Sequence, residues 1–158
     1  MATIVGSSLS EQLNGTDRAD LLQGLDGNDT LIGGMSFDTL VGGAGDDLIS
    51  GGSDGDVIYG NTGADTLLGN NGDDVMYGGQ GNDVLSAMQG ADTLFGNFGN
   101  DVIYGGTELD LIYGNEGADH LFGGTDADTL YGGQGTDTLS GGLGADVLFG
   151  NKDNDSLL

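Results

Sequence analysis

The sequence predicts an all-β chain wound into a coil of two parallel sheets, with eighteen residues per coil. Three observations carry this expectation. Aspartate recurs every nine residues without a slip, at Asp20, Asp29, Asp38, Asp47, Asp56, Asp65, Asp74, Asp83, Asp92, Asp101, Asp110, Asp119, Asp128, Asp137, Asp146 and Asp155. A large apolar side chain follows each of them two residues later, from Leu22 and Leu31 through Met76 to Leu148 and Leu157. Glycine precedes each by five residues, with Ala87 the one exception. A fixed period of this kind marks a repeat architecture, in which each unit buries its apolar face against the next.

Each nine-residue unit divides into a turn and a strand. The first six positions are rich in Gly, Asn and Asp, which tolerate positive φ, so they read as a turn. The last three, as in Val57-Ile58-Tyr59, are β-formers and read as a short strand. Alternate side chains of a strand face opposite ways, which sends the eighth position inward and the seventh and ninth outward. Two turn-strand units close one coil, and coils stacked ~4.8 Å apart give a rod about 40 Å long. Glycine at 35 of 158 residues excludes a helix. Residues 15–158 hold sixteen units, and residues 1–14 hold a degenerate start in which Ile4, Gly6, Glu11 and Leu13 keep the phase. The span 1–158 is one domain with no linker.

Composition narrows the function classes. Without proline or a three-residue period, the glycine is not collagenous. Leu, Ile, Val and Phe make up 39 residues, about 25%, above the ~20% below which chains usually stay disordered. The net charge of -24, with Arg18 and Lys152 the only basic residues, argues against nucleic acid or an anionic membrane as partner. No apolar run approaches the ~18 residues of a membrane span, and no basic-then-apolar leader opens the sequence. The absence of cysteine excludes disulfides and thiolate metal sites, and is compatible with life outside the cell.

The acid falls in register. Residues eighteen apart stack on one edge of such a coil. The first edge carries Asp20, Asp38 and onward to Asp146; the second carries Asp29, Asp47 and onward to Asp155. Two carboxylates ~4.8 Å apart repel by roughly 1 kcal/mol even in water. Such a stack calls for cations between its rungs. Carboxylates and the carbonyls of glycine turns form an all-oxygen ligand set, which suits the six to eight ligands of calcium. One His and no Cys speak against zinc or copper. Seven gaps on each edge set a ceiling of about fourteen interior calcium sites. The bland alternative is that the aspartates only cap turns, but capping does not demand one in every unit.

The unit is G-G-x-G-x-D-x-U-x, with U a large aliphatic residue. Gly42-Gly43-Ala44-Gly45-Asp46-Asp47-Leu48-Ile49-Ser50 and Gly78-Gly79-Gln80-Gly81-Asn82-Asp83-Val84-Leu85-Ser86 match it in full. The pattern resembles the RTX nonapeptide repeat, the calcium-binding β-roll of secreted bacterial toxins, proteases and lipases, over about 90% of the chain. The resemblance implies a right-handed parallel β-roll with calcium in its turns. It also implies that each Asp carboxylate joins turn carbonyls of consecutive coils, such as those of Gly43, Gly45, Gly79, Gly81, Gly133 and Gly135. It implies a protein that stays unfolded in the calcium-poor cytosol, passes a type I secretion channel and folds outside. Relatives usually carry a non-repetitive C-terminal secretion signal and cap, whereas the present sequence stops within a repeat, at Asp155-Ser156-Leu157-Leu158.

Two departures from regularity stand out. The fourth turn position is Gly on the second edge from Gly27 to Gly135 and fails only at Asp153. On the first edge it is Arg18, Ser36, Asp54, Gly72, Gly90, Glu108, Asp126 and Gly144. Side chains at a strained turn position cost stability unless they are Asn or Asp. The second edge is therefore expected to be the regular calcium column, with the turns Ala87–Asp92 and Gly105–Asp110 the weakest. The other departure lies on the outward ninth position, where Tyr59, Tyr77, Phe95, Tyr113, Tyr131 and Phe149 form an unbroken ladder. It either stabilises the sheet by cross-strand packing or offers a docking face.

No catalytic constellation is visible, so an enzyme is not expected. His120 has no paired nucleophile, and Asp46-Asp47 and Asp73-Asp74 belong to the calcium turns. The expected function is a calcium-binding structural module of a secreted bacterial protein. The alternative is a self-assembling matrix, filament or surface-layer protein that stacks end to end or pairs through the aromatic face. Less favoured are a module appended to a secreted enzyme and an ice-binding adhesin, whose regular Thr array is lacking. Contact with polysaccharide or a cell surface would need calcium as the bridge.

Overall fold

The computed structural model describes residues 1–158 and contains no helix. Eighteen strands alternate between two nine-stranded sheets. One sheet runs from β1 (Thr3–Val5) to β17 (Val147–Lys152) through every odd strand, the other from β2 (Gln12–Asn14) to β18 (Ser156–Leu157) through every even strand. Every pairing is parallel and joins residues eighteen apart, for example Ile58 with Met76 and Leu85 with Ile103. Nine coils of eighteen residues make the β-solenoid.

The strands are longer than the three residues expected. Most have six, as in Val57–Thr62, because pairing resumes after the inward glycine: Tyr59 pairs with Tyr77, then Asn61 with Gly79 and Thr62 with Gln80. The first half of the repeat's turn thus keeps its ladder contacts with the next coil, and only three residues remain to reverse the chain. The second position makes this possible by taking positive φ inside the strand. Glycines do so at φ 117 to 127 (Gly34, Gly43, Gly52, Gly79), asparagines at 77 to 83 (Asn61, Asn70, Asn97), near the left-handed well that Asn occupies most readily.

The core follows the eighth position. Fourteen aliphatic residues there, from Leu22 to Leu139, have no exposed surface, and Ala87 joins them from a first position. Ile4, Leu13 and Leu148 pack against the two ends of this column, while Leu157 remains about half exposed in the last coil. Positions one and six also face inward, so each half-coil presents an aliphatic residue, a glycine and an aspartate to the interior.

Candidate metal centres

Sixteen aspartates occupy equivalent places at the turns. Fourteen of them, Asp20 to Asp137, are at most 3% exposed; Asp146 and Asp155, in the last coil, are half-buried. In each, Oδ1 accepts the main-chain N–H of the residue eighteen positions earlier. Asp65 N–H donates to Asp83 at 2.8 Å, Asp83 N–H to Asp101 at 2.8 Å and Asp92 N–H to Asp110 at 3.0 Å. At the start of the columns Ala2 and Glu11 supply the N–H groups, to Asp20 and Asp29. One oxygen of every carboxylate is therefore spent on holding coil to coil, and the capping alternative describes that oxygen correctly.

It does not describe the other. Oδ2 is buried without any hydrogen-bond partner in thirteen aspartates, from Asp29 to Asp137 in unbroken succession. Buried polar atoms in folded proteins are nearly always partnered, so thirteen identical exceptions demand an explanation. The oxygen lies over the glycine at the first turn position. A Cβ built on Gly78 would come within 2.5 Å of Asp83 Oδ2 and 2.8 Å of the Gly96 carbonyl oxygen, so this glycine leaves room for the carboxylate. Asp20 is the contrast. Its Oδ2 accepts both the Thr16 hydroxyl at 2.6 Å and the Thr16 N–H at 2.9 Å. The hydroxyl bond, first, then the N–H of Ala2 hold its carboxyl below the usual range.

Burial pushes the orphaned carboxyls the other way. Asp47, Asp65, Asp83, Asp92 and Asp119 rise to about 6, and Asp56, Asp74, Asp101 and Asp110 to about 7. Asp38, Asp128 and Asp137 are also raised, and in all twelve burial is the largest cause. Neighbouring carboxylates of the same column add to it at most of them, as Asp119 and Asp83 do at Asp101. At neutral pH the fold thus confines negative charge that it does not itself neutralise.

The donors present suit a hard cation. Carbonyl oxygens of the fourth turn position, such as those of Gly45, Gly81 and Gly135, accept no hydrogen bond. A Cβ on Gly63 would run into the Gly45 carbonyl, which places that carbonyl against the following coil. Three acidic or histidine side chains converge nowhere in the molecule. A bound ion would therefore take one or two carboxylate oxygens and complete its shell with main-chain carbonyls. Oxygen-only donors in number, with few carboxylates per site, fit calcium better than magnesium or a transition metal.

The two edges differ less than the sequence suggests. Asp83 on one and Asp110 on the other make the same bonds and are equally buried. Ser36, Asp54, Glu108 and Asp126 adopt the left-handed conformation that glycine takes opposite them, at φ 71 to 77. Their cost is partly offset: Asp54 Oδ2 accepts the Ser36 N–H at 3.1 Å and Asp126 Oδ2 the Glu108 N–H at 3.3 Å. The second position is left-handed in the same way at Leu25 (φ 85) and Met88 (φ 82), which sequence reasoning overlooked because it weighed only the fourth. Thr16 was overlooked too; its signal is a hydroxyl four residues before Asp20, where the other units carry Gly or Asn except at Leu25 and Met88.

The aromatic ladder forms as expected. Consecutive rings from Tyr59 to Phe149 lie 4.9–5.0 Å apart and within 10° of parallel. Their faces are turned to one another along the ladder. The opposite sheet has one such pair, Tyr104 with Phe122. An open groove of about 410 Å³ runs beside the ladder past Asn97, Asn115, Glu116, Asn151 and Lys152. His120 is exposed on the other sheet.

A solenoid with an aspartate in every turn and oxygen donors stacked at both edges defines a calcium-binding repeat protein. The chain belongs to the RTX calcium-binding nonapeptide repeat family, whose sequence model matches it in overlapping windows from residues 5–40 to 122–157. No curated protein matches it.

Proposed function

We propose that the chain is a non-catalytic structural module of a secreted bacterial protein and that extracellular calcium folds it. The thirteen buried, partnerless Asp Oδ2 atoms carry this reading. Without cations they are confined negative charge that opposes folding, and the net charge of -24 adds long-range repulsion. Calcium bound only to the coiled form stabilises it by mass action. One ion per orphaned oxygen sets a ceiling of thirteen, one below the number of gaps between stacked aspartates. Extracellular calcium modules bind at ~10⁻⁴–10⁻³ M, a range that separates the inside of a cell from its surroundings. A chain unfolded inside and folded outside also suits export through a type I secretion channel, the route this family's resemblance brings with it.

Far-UV circular dichroism in chelator and in millimolar calcium tests the reading. The expected result is a disordered spectrum that becomes β-rich with calcium and responds poorly to magnesium, which demands a tighter octahedron. A β-rich spectrum in excess chelator at neutral pH overturns it.

A further inference from the structure

The position of charge in the repeat separates the molecule into two kinds of surface. All 26 acidic residues, with Arg18 and Lys152, fall on the third to sixth positions of the unit, that is, on the two edges and on the last strand position beside them, where Asp26, Glu116 and Lys152 border the odd-numbered sheet. The outer face of the odd-numbered sheet consists of the seventh, ninth and second positions of eight full coils. These are 24 residues in three rows, and none is charged. The outer face of the even-numbered sheet lacks carboxylates at these positions too, so what sets the odd-numbered face apart is its apolar and aromatic content. Its central row is the stacked ladder from Tyr59 to Phe149, flanked by Val57, Val75, Leu111 and Val147 on one side. The even-numbered sheet differs: it carries His120, and its ninth positions include Ser50, Ser86 and Ser140.

We infer that this aromatic face binds the same face of a second copy of the chain, forming a calcium-dependent dimer. The inference rests on the calcium-folded coil proposed above, because the six rings align only when the coil forms. Three features of the face favour a second copy. Its ring row is regular, each ring within 10° of parallel to the next, so a two-fold axis between Phe95 and Tyr113 would set the two ladders antiparallel, ring row on ring row, in a closed isologous contact. Its 24 outward residues match the roughly 20–30 per partner of a standard-size interface. Eight coils at ~4.8 Å and a width of about 15 Å give roughly 600 Å² per partner, about 1,200 Å² in total, the lower bound of that class. Charge sets the condition. Thirteen divalent ions would bring +26 against the chain's -24, which removes the repulsion that keeps two metal-free chains apart.

Sedimentation velocity over a range from micromolar to near-millimolar chain tests the inference, with circular dichroism on the same samples. In millimolar calcium the mass should rise to twice the 15.8 kDa of the chain, while in chelator it should stay at the monomer. Phe95→Glu places charge in the ladder, and Thr93→Lys places it beside the rings without removing one. Both should weaken dimerisation at least ten-fold with the β-rich spectrum unchanged. Ser86→Glu, on the opposite sheet, should leave the dimer intact. A β-rich monomer at every concentration overturns the dimer and leaves calcium folding standing. So does an oligomer that ignores Phe95→Glu and Thr93→Lys. Failure of the wild type to gain β-structure in calcium overturns the underlying reading instead.

Discussion

The division of labour within one carboxylate is open to direct test at Asp83. Replacement by Asn keeps an oxygen where Oδ1 accepts the Asp65 N–H at 2.8 Å, but puts an uncharged amide where Oδ2 stands without a partner. Replacement by Ala removes both. Consider first the metal-free chain at pH 7.5. Burial raises Asp83 from 3.8 to about 6, so its ionised form disfavours the fold, on the order of 2 kcal/mol once solvent screening is allowed for. The sign follows from linkage: a carboxyl with a raised folded pKa destabilises fully above that value and not at all below the unfolded one. Asp83→Asn escapes this cost and should stabilise the metal-free coil by about that amount. Asp83→Ala also escapes it, but leaves a buried N–H unsatisfied at a cost of about 1–3 kcal/mol, and the two effects roughly cancel.

In calcium the order inverts. A site whose ligand stands at about a thousand times its dissociation constant contributes about 4 kcal/mol, more than the burial cost of about 2 kcal/mol that it offsets. Both substitutions weaken one such site, and Asp83→Ala still carries its unsatisfied N–H. In chelator, folding driven by trimethylamine oxide should therefore rank Asp83→Asn above wild type, with Asp83→Ala near wild type. In saturating calcium, urea unfolding should rank wild type first, then Asp83→Asn, then Asp83→Ala. If Asp83→Asn moves stability in the same direction in both media, the assignment of Oδ1 to structure and Oδ2 to metal is wrong.

Other outcomes follow from the same geometry. Lowering pH from 8 to 5 in chelator should increase β-structure, because carboxyls raised to 6–7 become protonated and cease to oppose folding; in calcium the same change should raise the calcium midpoint, since protons compete for those oxygens. Circular dichroism reads both, and a metal-free chain whose structure decreases on acidification refutes the cause given. Met88→Gly and Glu108→Gly should each stabilise the calcium form by about 0.5–1 kcal/mol in urea unfolding, because a left-handed conformation costs a non-glycine residue about 1–2 kcal/mol and glycine's unfolded freedom returns part of it. Destabilisation by either would show that the side chain contributes more than its backbone costs. Thr16→Gly removes the hydroxyl that Asp20 Oδ2 accepts but keeps the main-chain N–H of residue 16, so the calcium count by isothermal titration should stay unchanged; one added calcium would show that the hydroxyl alone blocks the first rung.

Most of the architecture was legible because one period governs it. The aspartate register alone placed Leu22 to Leu139 in the core and stacked the ladder from Tyr59 to Phe149, since both follow from a coil of eighteen residues. What escaped was what the register does not encode. Strand length depends on whether the backbone of Asn61 or Gly79 keeps pairing after the chain bends, a property of main-chain geometry rather than of side-chain pattern. The near-equivalence of the two edges escaped for a related reason. Composition marks Glu108 and Ser36 as misfits, but the coils above and below force them into the conformation glycine adopts elsewhere, so the Asp110 carboxylate stays where Asp83 has its counterpart. Neighbouring repeats override local preference, as expected where each unit is held on two sides.

The same stacking couples the two oxygens of each aspartate. Oδ1 of each carboxylate ties down the N–H of the coil before it, so every aspartate supports its neighbour's turn as well as its own. Orienting Oδ1 toward that N–H fixes Oδ2 against the inward glycine and the next coil's carbonyl, where water is excluded. A column held together through its carboxylates is therefore also a column of unneutralised oxygens. If calcium folds the chain as proposed, its stability without cations should fall with each repeat added and with cations should rise with each one. Length should then sharpen the difference between the two states, and a long array should give a steeper calcium response than any single turn could.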